Sequence, residues 1–303
     1  MLIQYKTEEQ WAAARRADYA IGASDAAKIL GVSAYGSPWS TWLNHKRPIE
    51  RDTIPEHFSL GHDLEPVTLA SYGRRNDIEI RHMDYAIYRH PKIPWLQMSP
   101  DGIAGPLEAP TAHYEAKACI NAAVAGKLPP SDQMPDDDWT VPDWRCQMLH
   151  QFAACPSLAT NTLVVMLPWF EVRSYTLRRD DIADELGAMM VTIARWREAY
   201  LVNDGALPPD HSRECKAGID WLHPAPEGWA KKTDDRPRRD ATAEEADLLM
   251  RYADARELEK TSKTTAAALR NEIVPLFGDC YMLMLGDGAR ATIDKRRTIK
   301  VKR

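Results

Sequence analysis

The chain has 303 residues, 44% of them hydrophobic and 27% charged, a composition that excludes a wholly disordered or fibrous protein and allows one large domain or two. No window approaches the apolar run of about 20 residues that a membrane helix needs. The start, MLIQYKTEEQWAAARR, carries no secretory signal pattern, so a cytoplasmic protein is expected. A net charge of −5 opposes general nucleic-acid binding unless the cations are segregated, because neutralising phosphates is the usual source of such affinity.

Glu8 to Asp18 reads as a first helix carrying Trp11, and IGASDAAKILG as a second with Ser24 as its N-cap. Pro38 to Asn44 fits a short helix. Phe58 to Tyr72 fits a longer one with a buried stripe of Phe58, Leu64, Val67 and Leu69, in which Pro66 marks either a kink or a start. The pattern then alternates. Ile78 to Tyr88, Leu96 to Ile103 around a Ser-Pro-Asp-Gly turn, and Ala112 to Ala118 read as strands. Asn121 to Pro142, rich in proline and aspartate, reads as a long function-bearing loop.

Trp144 to Ala154 resumes a helical pattern, Asn161 to Pro168 and Glu171 to Leu177 form a hairpin, and Asp181 to Tyr200 a closing helix. The order predicts an α/β or α+β domain over residues 1–203, a mixed central sheet flanked by helices. Residues 204–240 are rich in proline and charge and read as a linker. Residues 241–303 read as a helix-prone stretch and a hairpin joined through Gly286-Asp287-Gly288, ending in a basic tail (Arg290, Lys295, Arg296, Arg297, Lys300, Lys302, Arg303). Five scattered cysteines without a C-x-x-C pair read as reduced thiols.

The chemistry concentrates in Ser99-Pro100-Asp101-Gly102 and Tyr114-Glu115-Ala116-Lys117. On a strand, residues two apart share a face, so Glu115 and Lys117 project together, and Asp101 can reach the same point from a neighbouring turn. Two carboxylates and a backbone carbonyl, that of Ala116, suit Mg²⁺, which keeps waters on its other positions. The bland alternative is a solvated turn beside an exposed Glu-x-Lys face.

The order Pro-Asp, gap, Glu-x-Lys resembles the PD-(D/E)xK nuclease core. Five ordered segments narrow the likeness: IGASDAAKILG with Ser24, GHDLEP with Glu65, SPDG, EAK, and WRCQMLHQ with Gln147 resemble the YqaJ-like viral recombinase family, which includes phage lambda exonuclease. That resemblance implies a restriction-endonuclease-like fold and an Mg²⁺-dependent 5′-to-3′ exonuclease, with Mn²⁺ as a substitute ion. It would act on linear double-stranded DNA ends and leave 3′ single strands for a single-strand annealing protein in phage-type recombination, in a phage or prophage setting within a bacterial host.

The resemblance also assigns residues. Asp101, Glu115 and the Ala116 carbonyl would hold metal, Glu65 would serve a second metal or its waters, and Lys117 would be the catalytic lysine. Arg15, Ser24, Ser99 and Gln147 would bind the 5′-phosphate or position the substrate, with Arg16 an alternative to Arg15. A homo-oligomer, a trimer in the lambda enzyme, is implied as well. Taken alone, Ser24 is equally a plain helix cap, Glu65 a surface carboxylate, and His150 and Gln151 packing residues; the tryptophans are expected in cores or interfaces. A site- or structure-directed endonuclease or nickase, and a non-catalytic DNA-end-binding scaffold, are the rival functions. The tail could clamp duplex, dock a partner or cover a sheet edge.

Overall fold

The computed structural model describes residues 1–46, 56–134 and 139–207, and beyond them three strands and a few isolated positions. The chain divides into two compact units, Met1–Ala225 and Pro226–Arg303. Most of the expected linker, and most of the helix-prone stretch after Ala241, lie outside the described residues. Among the described residues no helix is long and apolar enough to cross a membrane, and Cys119, Cys146 and Cys155 are free thiols.

The first unit begins with β1 (Leu2–Gln4) and α1 (Glu8–Arg16). Thr7 caps α1 by accepting from the Gln10 N–H, and the helix has Glu8 and Glu9 in its first turn and Arg15 and Arg16 in its last, each sign matched to the helix dipole. The segment expected to be one helix starting at Ser24 is different. A single 3₁₀ turn spans Ala23–Asp25, and α2 (Ala26–Ile29) follows it. Ser24 therefore caps nothing: it lies inside the turn, whose capping position is Gly22, and its side chain is exposed.

Next come α3 (Pro38–Lys46) and α4 (Glu56–Asn76), and Pro66 falls inside α4 instead of starting it. The apolar stripe expected on α4 is wrong at Val67, which is 54% exposed, whereas Thr68 and Leu69 are buried. At about 100° per residue Val67 lies nearly opposite Leu69, so the helix can bury only one of them. The face that carries Leu69 also carries Glu65, one turn earlier, and Tyr72.

Two sheets hold the centre. β3 (Ala86–Arg89) pairs antiparallel with β1 on one side and β4 (Gln97–Met98) on the other. The larger, five-stranded sheet runs in the order β2 (Arg81–His82), β5 (Gly102–Ala104), β6 (Ala112–Ala118), β7 (Thr160–Met166), β8 (Val172–Arg178). Only β6 and β7 are parallel, with His113 opposite Asn161 and Glu115 opposite Leu163. The crossover between them carries α5 (Ala122–Ala125) and α6 (Pro142–Ala154), and α7 (Ala183–Arg197) follows β8. The expected mixed sheet flanked by helices is thus the observed one.

Side chains alternate across β6 and β7 as the pleat demands. Tyr114, Ala116 and Val164 pack with Leu69 of α4 on one face, while Leu163 and Val165 join the main core with Met148, Leu149 and Phe152 of α6 on the other. That alternation sends His113, Glu115 and Lys117 to the α6 side. In the long loop after β6, Ser131 and Asp132 hydrogen-bond the β8 backbone at Ser174 and Thr176.

In the second unit β9 (Met282–Gly286) and β10 (Ala289–Ile293) form the expected hairpin, and β11 (Ile299–Lys302) adds a third antiparallel strand that the sequence reading left as a tail. The register sets Arg290 opposite Lys302 and Thr292 opposite Lys300.

At Gly102 the sheet packs tightly under Ile80 and under Leu69 of α4: a Cβ there would lie 2.7 Å from Ile80 Cγ2 and 2.9 Å from Leu69 Cδ1. Gly102→Val is expected to cost about 1–3 kcal/mol by overpacking. Gly187→Ala on α7, where nothing lies within 4 Å, should gain about 0.5–1 kcal/mol from helix propensity. Urea unfolding of both variants checks the pair, and equal stabilities would refute this packing of α4.

Candidate active site

β6 delivers Glu115 and Lys117 to one face, and the turn entering β5 delivers Asp101 beside them. Where β5 ends its pairing with β6, the Asp101 carboxylate replaces it: Oδ2 accepts from the Ala116 N–H at 2.9 Å. The Asp101 and Glu115 carboxylates and the Lys117 ammonium line one pocket with Glu65 of α4, Gln147 of α6, and Arg15, Ser24 and Ser99. All eight side chains named from the sequence therefore meet. Ala116, the ninth residue, does not line the pocket, and its N–H holds the Asp101 carboxylate.

Glu115 is 2% exposed, which would be costly for an ionised carboxylate without partners. Its Oε1 pairs with Lys117 Nζ and accepts from Gln147 Nε2 at 2.6 Å. Its Oε2 accepts from Gln151 Nε2 at 2.5 Å. Gln151 was expected mainly to pack, with a smaller chance of reaching the site, and it lies one helical turn beyond Gln147 and shares its face of α6. The signal was that Gln-x-x-x-Gln spacing.

Burial and the adjacent Glu115 carboxylate raise the Asp101 pKa well above its ordinary 3.8, against the opposing pull of Lys117. Glu65, hydrogen-bonded to His62 Nδ1 at 3.1 Å, is also shifted up, first by burial. For Lys117 burial favours the neutral amine, but Glu115, Asp101 and Glu65 together outweigh it and hold the pKa at about 12. With only the carboxylates around it, Lys117 is therefore held as a cation, suited to offsetting negative charge.

Across the pocket, α1 presents Trp11 and Arg15 at i, i+4 spacing, with the guanidinium carbon 4.5 Å from the indole centroid. Trp11 Nε1 donates to Ser99 Oγ at 3.1 Å, and Gln97 Nε2 donates to the Arg15 carbonyl at 2.8 Å. The Arg15 side chain makes no hydrogen bond or ion pair among the described residues, and burial lowers its pKa while the Asp25 and Asp101 charges oppose that shift. Arg16, the alternative, is exposed and does not line the pocket. Trp11 thus serves the pocket wall and is not plain core.

The donor set fits a hard divalent cation. Asp101, Glu115 and Glu65 supply carboxylate oxygens in a pocket that Lys117 shares, where burial first and the Glu115 charge second raise the Asp101 pKa. Among the described residues no three His, Cys, Asp or Glu side chains are grouped so as to hold a metal ion, so a cation here would rest on two carboxylates and keep waters on its other positions, as a hard divalent ion can.

Comparison with known proteins agrees with the motif reading. Residues 10–159 match the family model described as the YqaJ-like viral recombinase domain. Among solved structures, an alkaline exonuclease from Laribacter hongkongensis is similar at 22% identity and TM-score 0.45, over 62% of this chain and 92% of that one. A phage-related exonuclease from Haemophilus somnus is similar at 7% identity and TM-score 0.42, over 61% and 96%. No curated protein sequence matches the chain.

The raised Asp101 pKa makes a stability prediction. A carboxyl that holds its proton more tightly when folded destabilises the fold as pH rises from 3.8 toward the raised value. Asp101→Asn keeps the acceptor for the Ala116 N–H and removes the charge. Without added divalent cation it should therefore melt higher than the parent at neutral pH, with the gain fading as pH falls toward 3.8. Melting curves across pH test this; a lower melting temperature for Asp101→Asn at neutral pH would contradict it.

Proposed function

We propose that this chain, whose residues 10–159 match the YqaJ-like viral recombinase domain, is an Mg²⁺-dependent exonuclease that degrades one strand of linear double-stranded DNA from its 5′ end. The product would be a 3′ single strand for recombination with an annealing protein. One observation carries the reading: a single pocket sets the Asp101–Glu115–Lys117 cluster opposite a stacked Arg15 guanidinium with its donors uncommitted.

The two halves of the pocket divide the work. Arg15 offers a planar fork of donors, the geometry that best grips a phosphate, and Trp11 and the Arg15 carbonyl contact hold it from both ends. Ser24 and Ser99 add hydroxyls on the same side. A terminal phosphate seated there would bring the next phosphodiester toward Asp101 and Glu115, so recognition of an end and cleavage near it become one geometric event. This favours an exonuclease over an endonuclease of the same fold.

Asp101, Glu115 and the Ala116 carbonyl would hold the cation, with Glu65 serving a second ion or its waters. When bound, the cation supplies Lewis acidity, lowering the pKa of water and neutralising charge on the phosphate. Lys117, as the ammonium, offsets the charge that grows on the phosphate oxygens in the transition state. Gln147, placed by the motif near the substrate, donates to Glu115 here; its proposed work is to hold that carboxylate at the pocket edge.

A time course on end-labelled linear duplex, with and without Mg²⁺, reports reaction, polarity and metal need together, and a closed circle should resist. Asp101→Ala and Glu115→Ala should each lower the rate at least about a hundredfold. Arg15→Ala should cost about ten- to a hundredfold on 5′-phosphorylated ends, the loss of charge-assisted hydrogen bonds, and little on 5′-hydroxyl ends. Equal digestion of both ends by the parent would remove the phosphate pocket, and wild-type digestion by Glu115→Ala would remove the site.

A further inference from the structure

Behind Glu115, away from the pocket, lies a line of buried polar side chains that the proposed reaction does not use. Gln151, Asn161 and His113 come from α6, β7 and β6, and all are essentially inaccessible. Their hydrogen-bond directions can be assigned because acceptor-only groups fix the two amides. Gln151 Nε2 faces the Glu115 carboxylate at 2.5 Å, so Gln151 Oε1 faces back. Asn161 Nδ2 donates both to that oxygen at 2.8 Å and to the Met148 carbonyl at 3.1 Å. Asn161 Oδ1 can then only accept, so His113 Nδ1, 2.9 Å away, must carry the proton. His113 Nε2 is left bare, and it is indeed buried with no partner among the described residues.

Every bond in this line thus donates toward the carboxylate. We propose that His113, Asn161 and Gln151 are positioning residues: a one-way hydrogen-bond chain that clamps Oε2 of Glu115 and turns Oε1 into the pocket to receive a divalent cation. Each donor polarises the next in a low-dielectric core, so the end at Glu115 is a stronger donor than an isolated amide. The parallel pairing of β6 with β7 makes it possible, since it sets His113 directly beside Asn161. Lys117 and Gln147 hold Oε1 from the pocket side, and among the described residues only Gln151 holds Oε2. Without the clamp the carboxylate could rotate about its last bond and lose its aim.

The proposal rests on the reading of Glu115 as a cation ligand, and the test separates the two. Mn²⁺ binding by isothermal titration calorimetry, without DNA, is measured on the full chain, on Glu115→Gln, and on chain variants whose fold is verified by circular dichroism. If the parent and Glu115→Gln bind Mn²⁺ equally, the ligand reading fails. If Glu115→Gln loses binding, Asn161→Asp decides the chain: it removes the donor to Gln151, frees that amide to flip, and should weaken Mn²⁺ binding about ten- to a hundredfold, the usual effect of losing a group that orients a ligand. On linear duplex its kcat should fall by a similar factor with KM unchanged, because the Arg15 side is untouched. Should Asn161→Asp not fold, His113→Phe takes its place. That change removes the first donor together with a ring nitrogen that has no partner, and His113→Gln, which supplies a donor again, should recover most of the loss. A folded Asn161→Asp or His113→Phe that binds Mn²⁺ within about twofold of a cation-binding parent overturns the proposal.

Discussion

The arrangement of the pocket follows from one constraint: a carboxylate, Glu115, is 2% exposed at the centre of a sheet. An ionised group there needs enough donors to replace its hydration. It takes them from three directions, with Lys117 from its own strand and Gln147 and Gln151 from the crossover helix. Two of those partners come from α6, so the docking of α6 onto β6 and β7 and the hydrogen bonding of the buried carboxylate are one requirement. Removing α6 from the sheet would leave a buried charge with a single partner.

The same pocket holds more negative charge than its interior can stabilise alone. Burial first, and neighbouring carboxylates after it, shift Asp101 and Glu65 up, while Glu115, Asp101 and Glu65 together pull Lys117 up to about 12 against its own burial. Such a cluster works against folding and in favour of binding cations, the common compromise between a stable fold and a working site. It also qualifies the net charge of −5. The overall sum says little about affinity for an anionic substrate when a guanidinium faces one side of the pocket and the carboxylates gather on the other.

Sequence reading reached far along β6 because a strand has a strict period of two: once Ala112 to Ala118 is extended, Glu115 and Lys117 must share a face. Asp101 was legible from its turn. Arg15 could not be told from Arg16 until the indole of Trp11, one helical turn back, was seen beneath one of them. Ser24 was misread as a cap because a serine before an apolar run looks the same whether the chain begins an α-helix or makes a single 3₁₀ turn. Val67 was misread because Pro66 obscured which face of α4 meets the sheet. Asn161 and His113 escaped notice, and Gln151 was read mainly as packing, for a different reason: their partners are 10 to 48 residues away, and local pattern carries no record of such pairing. β11 escaped because its lysines made a strand look like a solvated tail.

What joins the two halves of the pocket is a short stretch of backbone. Ile21, fully buried, bridges to Leu96, its N–H donating to the Trp95 carbonyl at 2.8 Å and its carbonyl accepting from Gln97 at 3.3 Å. That join fixes the turn holding Ser24 beside the strand that leads to Ser99 and Asp101. The Gln97 side chain extends it to the Arg15 carbonyl. The proposed phosphate grip and the proposed cation ligands therefore sit on one continuous run of hydrogen bonds and not on separately moving parts. A site that must cut at a set distance from a chain end needs that rigidity, because a shift of about 1 Å between grip and reacting group can cost about a hundredfold in rate.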